Sequence, residues 1–254
     1  MLFDSHAHID AKQFDNDREL VIKRAKLNDI SYIMNPGADF ESSVNAVALA
    51  EKYDFIYAAV GVHPHDVETM DEQMLSLLKG MAMKEKVKAI GEIGLDYYRD
   101  LSPRDLQKKW FIEQIRMAKS LEMPIIIHDR DANDDVLRIL KEEKAFETGV
   151  LMHCYSGSKE LAGQYIKLGA YLSIAGPLTY KNARKTVEVV ETVPLERLMI
   201  ETDSPYLTPE PFRGKRNESM HVKYVCQKMA DIKGLPFEEV ARITLENAKS
   251  FFKI

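Results

Sequence analysis

The constraint that bears hardest on this chain is a rhythm. Short apolar, strand-forming runs alternate with longer amphipathic, charged segments along all 254 residues. The strand candidates are Leu2–His8, Ser31–Asn35, Ile56–Val62, Val87–Glu92, Pro124–His128, Val150–His153, Ala170–Ile174 and Leu198–Thr202. Between them lie helical patterns at Arg18–Leu27, Val44–Lys52, Pro103–Leu121, Asp135–Glu143 and Lys159–Leu168, and the tail reads as two more, Val222–Lys233 and Phe237–Phe252. Strands alternating with helices imply parallel pairing through βαβ units. Eight strands in that rhythm favour a closed barrel over an open sheet, and roughly 250 residues is the length a (β/α)8 barrel needs. The expectation is therefore an α/β protein, a (β/α)8 TIM barrel forming one domain over residues 1–254, with its chemistry at the C-terminal strand ends. Ser102-Pro103 offers a helix N-cap followed by proline at the first helical position. Gly149 and Gly169 stand just before strands, where a helix-ending glycine belongs. The Pro-, Gly- and base-rich segment Pro205–Asn217 reads as a long loop after the eighth strand.

The strand runs carry a second pattern, because five of them end on or beside a histidine or an acid. Residues two apart on a strand face the same side. His6 and His8 therefore project together, with Asp4 deeper on that face as a hydrogen-bond acceptor behind them. Neutral imidazoles so placed can grip one metal ion at ~2.0–2.1 Å. Taken alone, a His-x-His pair near a terminus fits a surface pair equally well. His128 and His153 each follow an apolar run, where a satisfied core histidine is the plainer reading of either one singly. Glu92 closes its strand between Gly91 and Gly94, where a carboxylate is costly unless paired or coordinated. With two oxygens it is the candidate to bridge two metals. Asp203 closes the eighth strand and reads either as a helix N-cap or as the general base beside a metal-held water. Two divalent ions ~3.5–4 Å apart would hold both sides of an in-line displacement at phosphorus.

Bulk properties narrow the class. The 45% apolar and 30% charged content is that of an ordinary globular protein, and the net charge of −5 opposes broad attraction to nucleic acid or membrane. A nucleic-acid substrate stays open, because bound divalent metal would invert the local field. No apolar run approaches the ~20 residues that span a bilayer, and the start Met1–His6 shows no signal-peptide pattern. Two cysteines, Cys154 and Cys226, make no disulfide framework and point to a reducing cytoplasm. The oligomeric state is not legible, and a monomer is compatible with everything above.

Six motifs in order resemble the TatD family of metal-dependent deoxyribonucleases, within the wider amidohydrolase-like barrel group, over essentially the whole chain. They are Asp4-Ser5-His6-Ala7-His8-Ile9-Asp10, Gly61-Val62-His63-Pro64-His65, Gly91-Glu92-Ile93-Gly94-Leu95-Asp96-Tyr97-Tyr98, His128-Asp129-Arg130, His153-Cys154-Tyr155-Ser156-Gly157-Ser158 and Glu201-Thr202-Asp203-Ser204-Pro205-Tyr206-Leu207. The resemblance implies that His6, His8, Glu92, His128, His153 and Asp203 are metal ligands, with Glu92 and Asp203 catalytic. It assigns His63 to contact with the scissile phosphate. It also implies a 3′→5′ exonuclease on single-stranded DNA ends, although some relatives deacylate D-aminoacyl-tRNA. Where the family generally has proline after Arg213-Gly214-Lys215-Arg216-Asn217-Glu218, this chain has Ser219, which leaves that loop's entry into its helix open.

Guanidinium groups pair bidentately with phosphate. Arg213, Lys215 and Arg216 on the long loop, and Arg130 two residues past His128, are the phosphate-clamp candidates beside the plainer reading of a solvated basic surface. Tyr97, Tyr98, Tyr155 and Tyr206 follow motifs and either stack bases, at ~1–3 kcal/mol each, or cap loops. Hydrolysis of a C–N or C–O bond is the first rival, but many such barrels place a bridging lysine where this chain has Glu92, and Lys88 lies four residues earlier. A catalytically dead binding protein would show a broken ligand set, and none is broken. Mixed imidazole and carboxylate ligands suit two divalent ions drawn from zinc, manganese, iron, cobalt or magnesium.

Overall fold

The computed structural model describes residues 1–254. Its strands are β1 (Leu2–Asp4), β2 (Ile30–Pro36), β3 (Ile56–Val60), β4 (Val87–Asp96), β5 (Ile125–Arg130), β6 (Val150–Met152), β7 (Tyr171–Ile174) and β8 (Leu198–Ile200). They lie in one sheet in chain order. The pairs β1–β2, β3–β4, β4–β5, β5–β6 and β7–β8 are parallel. Between successive strands come α1 (Arg18–Leu27), α2 (Phe40–Lys52), α3 (Glu72–Ala82), α4 (Arg104–Ser120), α5 (Asn133–Glu142), α6 (Lys159–Lys167) and α7 (Arg184–Thr192). After β8 follow α8 (Val222–Lys233) and α9 (Phe237–Phe252). Eight parallel strands with a helix after each are the connectivity of a (β/α)8 barrel, as the alternation predicts. No helix is long and apolar enough to cross a membrane.

Contacts divide the chain into two compact units. The first comprises residues 1–35, 154–167 and 171–254. Its strands β1, β7 and β8 are only three or four residues long and buried almost throughout. Helix α9 closes over β1 and β8 with a buried stripe of Val240, Ala241, Thr244, Ala248, Phe251 and Phe252. Phe252 meets Phe3 of β1 with ring centroids 5.8 Å apart. Burying such a ring contributes roughly 1.5–3 kcal/mol.

The second unit comprises residues 36–153 and 168–170 and holds β3 to β6. Ile125, Ile126 and Ile127 are wholly buried, as a strand covered on both faces requires. Helix α2 starts in a capping box: Asp39 accepts from the Ser42 amide at 2.7 Å while the Ser42 hydroxyl accepts from the Asp39 amide at 2.8 Å. Helix α3 is capped by Asp71, which accepts from the Met74 amide at 2.7 Å. Each such cap contributes about 1 kcal/mol. Helix α4 buries Trp110, Phe111 and Ile115, and with them two glutamines, Gln107 and Gln114.

Several boundaries differ from expectation, each for a visible reason. Strand β1 stops at Asp4, because residues 5–8 bond alternately to two different chain segments. Strand β4 runs four residues past Glu92, since Ile93 and Leu95 keep the alternation and pair with Ile127 and Asp129 of β5. Helices α3 and α7 were not anticipated, and α2 begins at Phe40 because its capping box sits earlier than its apolar stripe suggests. Ser102 does not cap α4; its hydroxyl instead donates to the His65 carbonyl at 2.7 Å.

Candidate metal centre

In the first unit a cluster forms where β1 and β8 end. The Ser5 amide donates to the Ile200 carbonyl (3.1 Å), Ala7 to Met34 (3.0 Å) and His8 to Ser204 (2.8 Å), while the Asp203 amide donates to the His6 carbonyl (2.9 Å). The His-x-His segment is thus stitched to both neighbours and extended without being a regular strand. His6 Nε2 and His8 Nε2 lie 3.2 Å apart. Asp203 Oδ1 stands 3.8 Å from the first and 3.5 Å from the second. Asp203 adopts a left-handed backbone (φ 54°) that turns its carboxylate toward the imidazoles. Asp4 does not reach those rings. It is fully buried and accepts from the Thr202 amide (2.8 Å) and hydroxyl (2.6 Å), which fixes the segment presenting Asp203. Burial, against the Thr202 hydrogen bonds, pushes its carboxyl up to about 7.

A second cluster lies at the ends of β3 to β6 in the other unit. Glu92 Oε1 is 2.8 Å from His128 Nδ1, 2.8 Å from His153 Nε2 and 3.5 Å from His63 Nε2. His128 turns its other nitrogen, Nε2, to Asp96 Oδ2 at 3.1 Å, and His65 Nε2 meets the same oxygen at 2.8 Å. The backbone amide of His65 donates to His63 Nδ1 at 3.2 Å. That bond places the proton of a neutral His63 on Nε2, so this ring offers a hydrogen-bond donor. Room for the cluster comes from glycine: a Cβ on Gly94, whose φ is 149°, would overlap the His128 carbonyl oxygen. Two buried glutamines two turns apart on α4 hold the strand ends. Gln114 accepts from the Val62 amide (2.8 Å) and donates to its carbonyl (3.1 Å). Gln107 accepts from the Asp96 amide (2.9 Å) and donates to the Ser102 carbonyl (2.8 Å).

The electrostatics match a cation site. Burial alone would raise the Glu92 carboxyl, but the neighbouring imidazoles of His153 and His63 and the hydrogen bond with His128 outweigh it and hold it well below the usual range. Burial likewise opposes ionisation of Asp96, yet His128, the Arg99 amide and His65 keep its carboxyl lowered. His63 is depressed to about 4 by burial and by neighbouring His128, so it is neutral at pH 7. Burial also works against a charged His128, and its hydrogen bonds to Asp96 and Glu92 raise it nonetheless. Among the groups close enough to hold an ion are His6–His8–Asp203 and His63–Glu92–His128. Bonds of ~2.0–2.2 Å around one tetrahedral ion put neighbouring ligand atoms ~3.3–3.6 Å apart, and octahedral edges are shorter, ~3.0 Å. The first triad's separations centre on the former and the 2.8 Å contacts of Glu92 approach the latter. Both donor sets, imidazole nitrogen with carboxylate oxygen, fit zinc, manganese, iron or cobalt.

The substrate-side candidates divide. Arg130 lies 4.0 Å over the exposed ring of Tyr98, and Arg213 lies 4.1 Å over Tyr180. Lys215 stands 5.9 Å over Phe212. Arg216 is committed elsewhere: it binds both Asp17 oxygens at 2.7 Å and Glu218 at 3.2 Å. It braces the loop against α1 and is no free clamp. Tyr97 and Tyr155 cap loops, donating to Asp135 (2.7 Å) and to the Ser158 carbonyl (2.8 Å), whereas Tyr98 and Tyr206 are exposed. Ser219 is buried and opens the 3-10 turn Ser219–His221 that leads into α8. Its entry is fixed without proline because Arg24 grips Glu218 at 2.7 and 2.8 Å. Sequence reasoning missed Asp96, Gln107, Gln114 and Arg18, whose guanidinium holds the carbonyls of Ile9, Asp10 and Ala11 just past His8. Only Asp96 carried a signal, since it continues the alternation 92, 94, 96 along β4.

The chain is similar to known proteins over its whole length. A Bacillus subtilis (strain 168) protein described as uncharacterized metal-dependent hydrolase YabD is 53% identical over 254 residues, spanning 100% of both chains. A Rahnella protein described as 3′-5′ ssDNA/RNA exonuclease TatD is 32% identical, over 100% of this chain and 98% of its own. The crystal structure of YjjV, a TatD homologue from Escherichia coli K12, superposes with a TM-score of 0.94 at 32% identity, covering 100% of this chain and 98% of that one. The family described as TatD related DNase matches residues 3–253. The chain is a metal-dependent hydrolase with the (β/α)8 barrel fold, and it belongs to the TatD-related DNase family.

Proposed function

We propose that this hydrolase is a deoxyribonuclease that removes nucleotides from the 3′ end of single-stranded DNA with two divalent ions. The observations that carry the reading are two histidine–carboxylate clusters: His6–His8–Asp203, whose ligand atoms lie within 4.8 Å of one another, and Glu92, whose Oε1 lies 2.8 Å from both His128 Nδ1 and His153 Nε2. In a barrel of this class the chemistry sits at the C-terminal strand ends, and each cluster lies at the strand ends of its own unit. The description of a relative as a 3′-5′ ssDNA/RNA exonuclease supports the choice of substrate. The two free cysteines favour a cytoplasmic location.

Bound divalent ions would supply Lewis acidity and bring a coordinated water to a usable pKa. The chain's own groups do the rest. Asp203 accepts the proton of the attacking water on its carboxylate. His63, neutral and protonated on Nε2, donates a hydrogen bond to a non-bridging oxygen of the scissile phosphate. Arg130, Arg213 and Lys215 hold the flanking phosphates, and aromatic faces such as Tyr98 receive unstacked bases.

The test compares 3′-labelled and 5′-labelled single-stranded DNA, duplex DNA and D-aminoacyl-tRNA, with Mg²⁺ or Mn²⁺ and with chelator. Metal-dependent release of the 3′ label is expected first, and chelator stops it. Metal-loaded protein that leaves all DNA intact while clearing D-aminoacyl-tRNA replaces the nuclease reading with a deacylase.

A further inference from the structure

We infer that Asn217 is a positioning residue for Asp203: its one side-chain amide holds two peptide groups of the turn after β8 and so keeps the Asp203 carboxylate facing His6 and His8. The inference rests on the proposed role of Asp203 at the metal centre and concerns a side chain outside the ligand set.

The chain leaving β8 is bent by two residues with left-handed backbone, Asp203 (φ 54°) and Leu207 (φ 51°). Residues with a Cβ avoid that conformation, and it persists only where the surroundings impose it. The carbonyl just ahead of each of the two is held by the same group. Asn217 Nδ2 donates to the Thr202 carbonyl at 2.9 Å and to the Tyr206 carbonyl at 2.7 Å. An amide nitrogen carries two hydrogens, so both are used. The Asn217 backbone amide donates to the Pro205 carbonyl at 3.0 Å, inside the same turn. At the other end Oδ1 accepts from the Glu218 amide at 2.9 Å and lies 3.0 Å from His221 Nδ1. Turned end for end, the amide would set its oxygen against two carbonyl oxygens and its NH₂ against the Glu218 N–H. Its orientation is therefore unique, and the side chain is wholly buried.

Asp4 holds the amide and hydroxyl of Thr202, ahead of the turn. Asn217 acts differently, because it spans the turn and ties residue 202 to residue 206. With that tie cut, Asp203 can relax to a negative φ, which swings its carboxylate off the imidazoles it now meets at 3.5 and 3.8 Å. The same strand supplies a matched control. Asn247 of α9, also buried, donates through its NH₂ to the Leu195 and Leu198 carbonyls at 2.8 and 2.7 Å, where the chain enters β8. Two buried amides thus make the same pair of bonds at opposite ends of one strand, and Asn217 is the one at the end that carries Asp203.

The experiment compares full-length wild type, Asn217→Ala and Asn247→Ala, with Zn²⁺ or Mn²⁺ alone as the probe. Competition with a chelating dye reads metal affinity. Amide hydrogen exchange in ¹H–¹⁵N spectra of the metal-free proteins reads the turn. Both variants are expected to melt at lower temperature. Asn217→Ala alone is expected to lose about 10–100-fold in affinity for one ion and to exchange the amides of Asp203, Ser204 and Tyr206 about tenfold faster. Unchanged affinity in Asn217→Ala, an equal loss in Asn247→Ala, or exchange at 203–206 no faster than in Asn247→Ala overturns the inference, since a merely structural bond would lower stability alone. Should Asn217→Ala not fold, Asn217→Ser, which keeps one donor, takes its place in each comparison. Wild type that binds no divalent ion sinks the proposed function instead, while exchange at 203–206 in the metal-free proteins still judges Asn217.

Discussion

Gln114 gives the sharpest test of how the barrel aims its site. Its side chain makes two hydrogen bonds to one residue, accepting from the Val62 amide at 2.8 Å and donating to the Val62 carbonyl at 3.1 Å, and both residues are essentially unexposed. Gln114→Leu keeps the volume of the side chain and removes both bonds. A buried N–H and a buried C=O are then left unpaired, at ~1–3 kcal/mol each. The added leucine burial offsets part of this, leaving a net loss of about 3 kcal/mol. For a chain of this size 1 kcal/mol moves the melting temperature by ~2–4 °C, so scanning calorimetry of metal-free protein should show a fall of about 6–12 °C. Val62 precedes His63, and a ~1 Å misplacement of a reacting group can lower turnover about 100-fold. Hydrolysis should therefore fall well beyond what the unfolded fraction explains. A fall of less than about 2 °C with normal turnover would refute the claim that α4 sets the height of the β3 end.

Three further outcomes follow from individual groups. Asp203→Asn should lower turnover about 10²–10⁴-fold with an unaltered melting curve in chelator; near-normal turnover would remove Asp203 as the base. Gly94→Ala should lose at least ~1–3 kcal/mol in urea denaturation, because its Cβ overlaps the His128 carbonyl where the backbone cannot yield; wild-type stability would show that the strand adjusts. The Asp17 carboxyl is held at about 2, chiefly by Arg216 and then Arg24. A depressed acid contributes stability that is complete above its unfolded pKa of 3.8 and is lost as pH falls through about 2. The gap in urea midpoint between wild type and Asp17→Asn should accordingly be wider at pH 6 than at pH 3, and an equal gap would count against the pairing.

Much of the fold was legible because parallel strands covered on both faces are written as continuous apolar runs, as at Ile125–Ile127. The histidines and acids announced themselves by closing such runs. His6 and His8 were legible as partners from alternation alone, although the segment is held by bonds to β2 and to the chain beyond β8 and forms no regular strand past Asp4. What stayed hidden was the supporting layer. Gln107 and Gln114 look like polar positions on an amphipathic helix, and only the packed structure shows them turned inward to strand ends. Arg216 looked like a phosphate clamp because sequence shows its basic neighbours but not Asp17, 199 residues away along the chain. Asp96 lay in plain view, but its value depends on His65 and His128 meeting one of its oxygens, a convergence no local pattern encodes.

The central claim, that the two histidine–carboxylate clusters are metal sites, is tested most directly by anomalous diffraction from crystals soaked in Mn²⁺. The account predicts one peak among His6, His8 and Asp203 and a second among Glu92, His128 and His153. Peaks elsewhere, or none at these clusters in metal-saturated crystals, would contradict it.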